Sequence, residues 1–159
     1  MHLILWRHAE AEDDAPSDLA RALTARGRKQ AEKMAAWFKS HAEGDVQNWH
    51  VISSPAVRAL QTAAALGFPV ETVESIAPDA PADNVLAAAN WPKAKRNIIV
   101  VGHQPTLGMV AARLINGVDG YVSVKKGAMW WFETRERDGI RQALLRAMAS
   151  PDATGVTKG

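Results

Sequence analysis

Apolar residues in this chain cluster in short runs, each closed by polar or turn-forming residues. Leu3 to Trp6 is an apolar tetrad followed at once by Arg7 and His8. A run of that length reads as a buried strand, and in open α/β sheets ligands bind beyond the carboxyl ends of such strands. Trp49 to Ile52 reads as a second strand, closed by Ser53, Ser54 and Pro55. Pro69 to Ile76, with Val70, Val73 and Ile76, predicts a short edge strand. Asn97 to Val101 carries the strongest signal, an Ile-Ile-Val-Val run suited to a parallel strand covered on both faces, and it ends in Gly102-His103.

Helical periodicity falls between these runs. Thr24 is suited to capping a helix whose apolar residues Ala31, Met34, Ala35 and Phe38 share one face, with an end near Ser40 to Gly44. Pro55 is placed to open a helix through Arg58, Leu60 and Thr62 to Ala65, stopped by Gly67. Further helices are expected at about Asp83 to Ala89 and after Pro105, where Leu107, Val110, Ala111 and Leu114 recur. Beyond them, Tyr121 to Val124 and Ala128 to Thr134 are β-prone, and Asp138-Gly139 is a hairpin pair before Ile140 to Met148. The Ala/Leu-rich composition of that last segment suits a helix equally well. Of the adjacent Trp130 and Trp131, strand alternation places one in the core and leaves the other exposed.

Alternating strands and helices followed by a hairpin imply an α/β fold. It would be a three-layer domain with a mostly parallel central sheet flanked by helices, plus an antiparallel C-terminal hairpin. One domain is expected over residues 1–150, and the small, polar residues 151–159 are expected to form a disordered tail.

Composition narrows the function. With 159 residues and 47% hydrophobic content the chain can bury one core. The absence of cysteine removes disulfides, thiolate catalysis and cysteine metal sites, and a cytoplasmic location is expected. No apolar run approaches bilayer length, so no membrane association is expected. The net charge of +2 with scattered arginines gives no nucleic-acid signature, and any positive field would be local.

Three strand ends, after Trp6, Ile52 and Val101, deliver Arg7 with His8, Arg58, and His103. Two guanidinium forks and two imidazoles at neighbouring strand ends form a pocket for a tetrahedral dianion. Arginine donates charge-assisted, often bidentate bonds to phosphate oxygens, and a neutral imidazole can attack phosphorus. A backbone carbonyl accepting from the Nδ1 of the attacking ring would leave its Nε2 free. The sequence has no P-loop, EF-hand or HExxH pattern, and neither metal nor cofactor is required. His2, His41 and His50 have no such companions.

These residues carry a family resemblance. Arg7-His8 after a strand, Ser54-Pro55 with Arg58-Ala59 and Gln61-Thr62, and Gly102-His103 after a strand resemble the three signatures of the histidine phosphatase superfamily. Ser17-Asp18, Arg21 and Leu23-Thr24 leading to Gly27 make the chain most similar to the small SixA-type phosphohistidine phosphatases. The resemblance runs from Met1 to about Met148 and implies a phosphoglycerate-mutase-like fold. It implies His8 as the phosphate-accepting nucleophile, Arg7, Arg58 and His103 as the phosphate pocket, and Asp18 and Arg21 as substrate-side residues near its mouth. The implied partner is the phosphate of a phosphohistidine-bearing protein, such as a histidine phosphotransfer domain, met by a monomeric enzyme.

Three positions depart from the family pattern. Ala9 stands in place of a common Gly, and Ala22 replaces the Pro of an Arg-Pro-Leu motif. The acid that protonates the leaving oxygen in larger relatives has no evident match, although Glu71, Glu74, Asp79 and Asp83 fall in the right region. A sugar alkoxide leaves poorly without an acid, whereas a protonated phosphohistidine expels neutral imidazole, so the gap favours a P–N substrate. Two other readings stay open: a phosphatase of small phosphate monoesters such as sugar phosphates, and a non-catalytic phosphate-binding module.

Overall fold

The computed structural model describes residues 1–154 as one α/β domain. In chain order its elements are β1 (His2–Arg7), α1 (Ala25–His41), β2 (His50–Ser53), α2 (Val57–Ala64) and β3 (Val70–Thr72). These are followed by α3 (Ala82–Ala88), β4 (Ile98–Gly102), α4 (Thr106–Asn116), β5 (Met129–Arg137) and β6 (Ile140–Ala149). The six-stranded sheet has the order β3-β2-β4-β1-β5-β6. The first four are parallel to one another; β5 runs antiparallel to β1, and β6 to β5.

Strand alternation divides the core between the two faces. Ile4, Trp6, Val51, Ile99 and Val101 pack under Met34, Phe38, Ala59 and Ala63 of α1 and α2. Leu3, Leu5, Ile98 and Val100 pack under Val85 of α3 and Leu107, Val110 and Ala111 of α4. Thr24 caps α1 as the sequence requires, its hydroxyl accepting from the Gly27 amide at 2.9 Å. Gly27 itself is dictated by packing, because a Cβ there would lie 2.0 Å from the Glu10 carbonyl oxygen.

Several expectations need correcting. Tyr121 to Val124 forms no strand; its backbone instead supplies carbonyls, Val122 O accepting from Gln104 Nε2 and Val124 O from Arg7. Pro55 precedes the helix rather than opening it, since Ala56 is the N-cap of α2, and Pro105 likewise occupies the N-cap of α4. The edge strand β3 spans only three residues before Glu74–Ile76 turns into a 3-10 turn. Trp130 and Trp131 are both buried, because β5 is an inner strand with helices above and below. Trp131 packs against Trp49 and Phe38 on one face, and Trp130 joins the opposite core. Within the stretch expected to be a disordered tail, Pro151–Ala153 forms a 3-10 turn with Pro151 buried, while residues 155–159 lie outside the described residues. No helix of the described residues is long and apolar enough to cross a membrane.

Candidate active site

The parallel register determines what meets at the carboxyl edge of the sheet. Arg7 of β1 pairs with Gly102 of β4, and Ser53 of β2 with Val101. The ladder continues one residue beyond each strand, with His8 N donating to Gly102 O at 3.1 Å and Ser54 N to Val101 O at 3.0 Å. His8, Ser54 and His103 are therefore fixed at one level by backbone bonds. The imidazole centroids of His8 and His103 lie 5.2 Å apart. Gly127, with φ +77°, turns its amide onto the Arg7 and His8 carbonyls and anchors the other side of this loop.

His8 is 7% exposed, and its Nδ1 lies 2.8 Å from the Ala9 carbonyl oxygen. A carbonyl can only accept, so Nδ1 carries the proton and Nε2 presents its lone pair. Burial, reinforced by the Arg58, Arg7 and Arg21 charges, lowers the His8 pKa to about 4, against the opposing pull of the Ala9 bond. His8 is thus neutral at pH 7 in the tautomer a nucleophile needs.

Arg58, in the first turn of α2, is 4% exposed and spans the site. Its Nε approaches His8 Nε2 at 3.4 Å, while Nη1 donates to Asp18 O at 2.7 Å and Nη2 to Asp18 Oδ2 at 3.1 Å. Thr62, one turn on, links the helix to the His8–Ala9 loop: its hydroxyl donates to Arg58 O at 2.8 Å and accepts from Ala9 N at 3.0 Å. Gln61 performs the parallel task for the Leu23 amide at 2.7 Å.

His103 is held by Ser54. The Ser54 hydroxyl oxygen accepts from Ala56 N at 3.1 Å and lies 2.7 Å from His103 Nε2. Its own hydrogen is best used toward that nitrogen, which makes Nδ1 the protonated atom of His103. Burial, then the neighbouring His8 and Arg58, lowers the His103 pKa to about 3. Among the described residues two buried side-chain nitrogens have no hydrogen-bond partner, and they are His103 Nδ1 and Arg7 Nε. Buried polar groups are nearly always paired, so two orphaned donors on residues of one cavity fit an oxyanion as their natural partner.

That cavity, of about 270 Å³, is lined by Arg7, His8, Arg58 and His103, with Asp18 and Arg21 in its wall and Asp79, Gln104 and Lys126 also reaching it. All six residues picked out in the sequence are brought together. Asp18 and Arg21 point their polar groups mainly at protein, however. Asp18 clamps Arg58, and Arg21 donates to Glu12 O at 2.7 Å and pairs with Asp18 and Asp13. The Arg58 and Arg21 contacts outweigh desolvation and lower the Asp18 pKa.

Sequence reasoning missed the positioning duties of Ser54 and Thr62, although both stand inside the recognised motif, and it missed the rim residues Gln104 and Lys126. Of the four carboxylates in the region of the absent acid, only Asp79 lines the cavity, exposed at its rim. Glu71 pairs with His50 at 2.7 Å, and Asp83 pairs with Arg113. His2 is structural, accepting from the Trp131 indole at 2.9 Å and stacked beside Trp49.

Comparison with known proteins places the chain in a family. Residues 3–78 match the histidine phosphatase superfamily (branch 1). A phosphohistidine phosphatase SixA homolog of Haemophilus influenzae is 31% identical over 95% of this chain and 97% of its own. Phosphohistidine phosphatase SixA of Escherichia coli is 30% identical over 74% of this chain and 76% of its own. The solved structure of the protein histidine phosphatase SixA complexed with tungstate superposes with a TM-score of 0.76 and 26% identity, covering 96% of this chain and 98% of that one. On its sequence and its fold together, the chain belongs to the histidine phosphatase superfamily, branch 1, as a SixA-like member.

Proposed function

We propose that this protein hydrolyses phosphohistidine on another protein through a covalent intermediate on His8. The carrying observation is the pair of contacts that hold His8 Nδ1 on the Ala9 carbonyl and leave a neutral Nε2 beside the buried Arg58. Nε2 attacks phosphorus as the substrate P–N bond breaks, and the leaving imidazole departs neutral when its other nitrogen is already protonated. The phosphorylated His8 ring retains the Nδ1 proton, is therefore cationic, and is itself a good leaving group for water. Water adds to phosphorus, inorganic phosphate carries away the proton, and His8 returns to its resting tautomer. Arg7, Arg58 and His103 Nδ1 donate to the phosphoryl oxygens as charge spreads over them. Asp18 and Arg21 act one step back, fixing the guanidinium of Arg58.

The preference for a P–N over a P–O bond rests on the carboxylates. Asp18, committed to Arg58, is the wrong group to hold a proton, and Asp79 is an exposed rim residue. No other carboxylate lines the cavity among the described residues. A cavity of about 270 Å³ falls at or below the range of pockets that enclose whole metabolites, so it suits a phosphoryl-imidazole presented from outside. The tungstate complex of the SixA structure, a tetrahedral oxyanion on a similar fold, and the phosphohistidine phosphatase names of the two relatives favour the same reading.

The test compares initial rates on a phosphorylated histidine phosphotransfer domain with those on common sugar phosphates. Faster release from the protein, abolished in His8→Ala, is expected. Faster turnover of the sugar phosphates would transfer the assignment to small monoesters. Tight phosphate binding with no turnover of either would leave a binding module.

A further inference from the structure

We propose that a basic groove running from the mouth of the cavity along α1 docks acidic side chains that flank the phosphohistidine of the partner protein. This inference rests on the phosphohistidine reading and adds to it how the partner is recognised. Lys126 lines both the catalytic cavity and an adjoining cavity walled by Lys125, Arg26 and Gln30. That second cavity shares Arg26, Gln30, Pro151 and Asp152 with a third, where Lys29 and Lys33 complete the wall. The three hollows therefore adjoin in a row that begins at the catalytic cavity.

Helix geometry explains the row of basic side chains. Arg26, Lys29 and Lys33 recur at spacings of three and four, so they share one face of α1, opposite the Ala31, Met34, Ala35 and Phe38 face buried against the sheet. From Arg26 to Lys33 the helix rises about 10 Å, room for two turns of a partner helix. Eight of the 19 basic and four of the 17 acidic residues line the catalytic cavity and this groove. They carry a net +4 where the whole chain has +2, which leaves the rest of the sequence at −2. The positive field is thus gathered here.

The counter-charges are incomplete. Lys125 pairs with Asp152 at 3.1 Å, Arg26 with Glu10 at 3.6 Å, and Lys33 donates to Pro151 O at 3.0 Å. The side chains of Lys29 and Lys126 have no ion pair or hydrogen bond among the described residues, and both residues are exposed. The occupant this chemistry fits is a carboxylate-bearing protein segment. A nucleic acid fits it less well, because among the described residues no aromatic side chain lines the groove to stack a base. With the phosphoryl-imidazole filling a small cavity, the flanking residues of the partner must lie outside it, and the groove begins at that mouth.

The test uses three phosphorylated probes: a peptide with its histidine between glutamates placed within seven residues on either side, the same peptide with glutamines, and free phosphohistidine. The expected kcat/KM for the glutamate peptide exceeds that of the glutamine peptide about tenfold at 50 mM salt, with the gap closing at 0.5 M. Lys29→Glu with Lys33→Glu removes the preference and leaves the rates on the other two probes unchanged. Lys93→Glu with Lys95→Glu, the same charge change outside the groove, retains it. Equal rates on the two peptides in the wild-type protein, or equal loss in both double variants, would overturn the groove.

If the wild-type protein hydrolyses none of the probes, the catalytic reading fails and anisotropy of the labelled, unphosphorylated glutamate peptide judges the groove separately. Binding weakened only by the Lys29 and Lys33 changes supports it, and identical binding overturns it. A single-stranded oligonucleotide that binds more tightly than the glutamate peptide would also overturn it.

Discussion

Ser54→Ala tests the internal logic of the site at a residue that has no contact with His8 Nε2. The wild-type hydroxyl accepts from Ala56 N at 3.1 Å and meets His103 Nε2 at 2.7 Å, and Ser54 is fully buried. Its removal orphans a buried amide and frees the His103 ring to place its proton on either nitrogen. Each unsatisfied buried group costs about 1–3 kcal/mol, so a measurable fall in Tm is expected. The catalytic loss is separate. If His103 donates from Nδ1 to a charged phosphoryl oxygen, losing that bond costs about 1.5–3 kcal/mol, or roughly 10- to 100-fold in kcat.

Steady-state hydrolysis of a phosphorylated histidine peptide measures that loss, and nitrogen-15 NMR of His103 reads the tautomer directly. Wild type should show Nδ1 protonated, and the variant a mixture or the Nε2–H form. A folded Ser54→Ala protein with unchanged kcat, or a wild-type His103 protonated on Nε2, would refute the reasoning.

Three further outcomes follow from the same geometry. Both site histidines have folded-state pKa values below the ordinary 6.5, so the unfolded chain binds more protons between about pH 4 and 6.5. Stability contributed by the neutral rings is present above pH 6.5 and is lost as pH falls toward 4, by about 3 kcal/mol from His8 alone. Chemical denaturation at pH 7.5 and 5 should show the decline, and a flat profile would contradict it. Thr62→Val leaves Ala9 N without its acceptor, and a loss of about 1–3 kcal/mol in denaturant midpoint analysis is expected together with a lower kcat. Gly27→Ala drives a methyl into the Glu10 carbonyl and should destabilise by roughly 1–3 kcal/mol; a thermal scan matching wild type would show that the loop yields freely.

Much of this architecture was legible because the signals were local and repeated. The Ile98–Val101 run, the Phe38 face of α1 and the Asp138-Gly139 turn each specify one element without long-range information. Arg7, His8 and His103 were legible because two strand ends carried them at the last strand residue or the one after it, where parallel pairing aligns them, and Arg58 because it falls in the first turn of the helix that follows the third strand end. Tyr121 to Val124 misled because β-branched residues satisfy a strand pattern, yet the segment's backbone is used to hold Gln104 and Arg7. One of Trp130 and Trp131 was expected to be exposed because burial of the second face depends on α3 and α4 arriving from elsewhere in the chain. The clamping of Arg58 by Asp18 was illegible for a related reason, since 40 residues separate partners joined only by tertiary structure.

The most direct measurement is a rapid acid- and base-quench experiment with phosphorus-32 on the histidine of a phosphotransfer domain, followed by peptide mapping. The account predicts a transient acid-labile, base-stable label on His8, formed and lost at rates compatible with turnover and absent in His8→Ala. Label on His103, or continued turnover by His8→Ala, would contradict it.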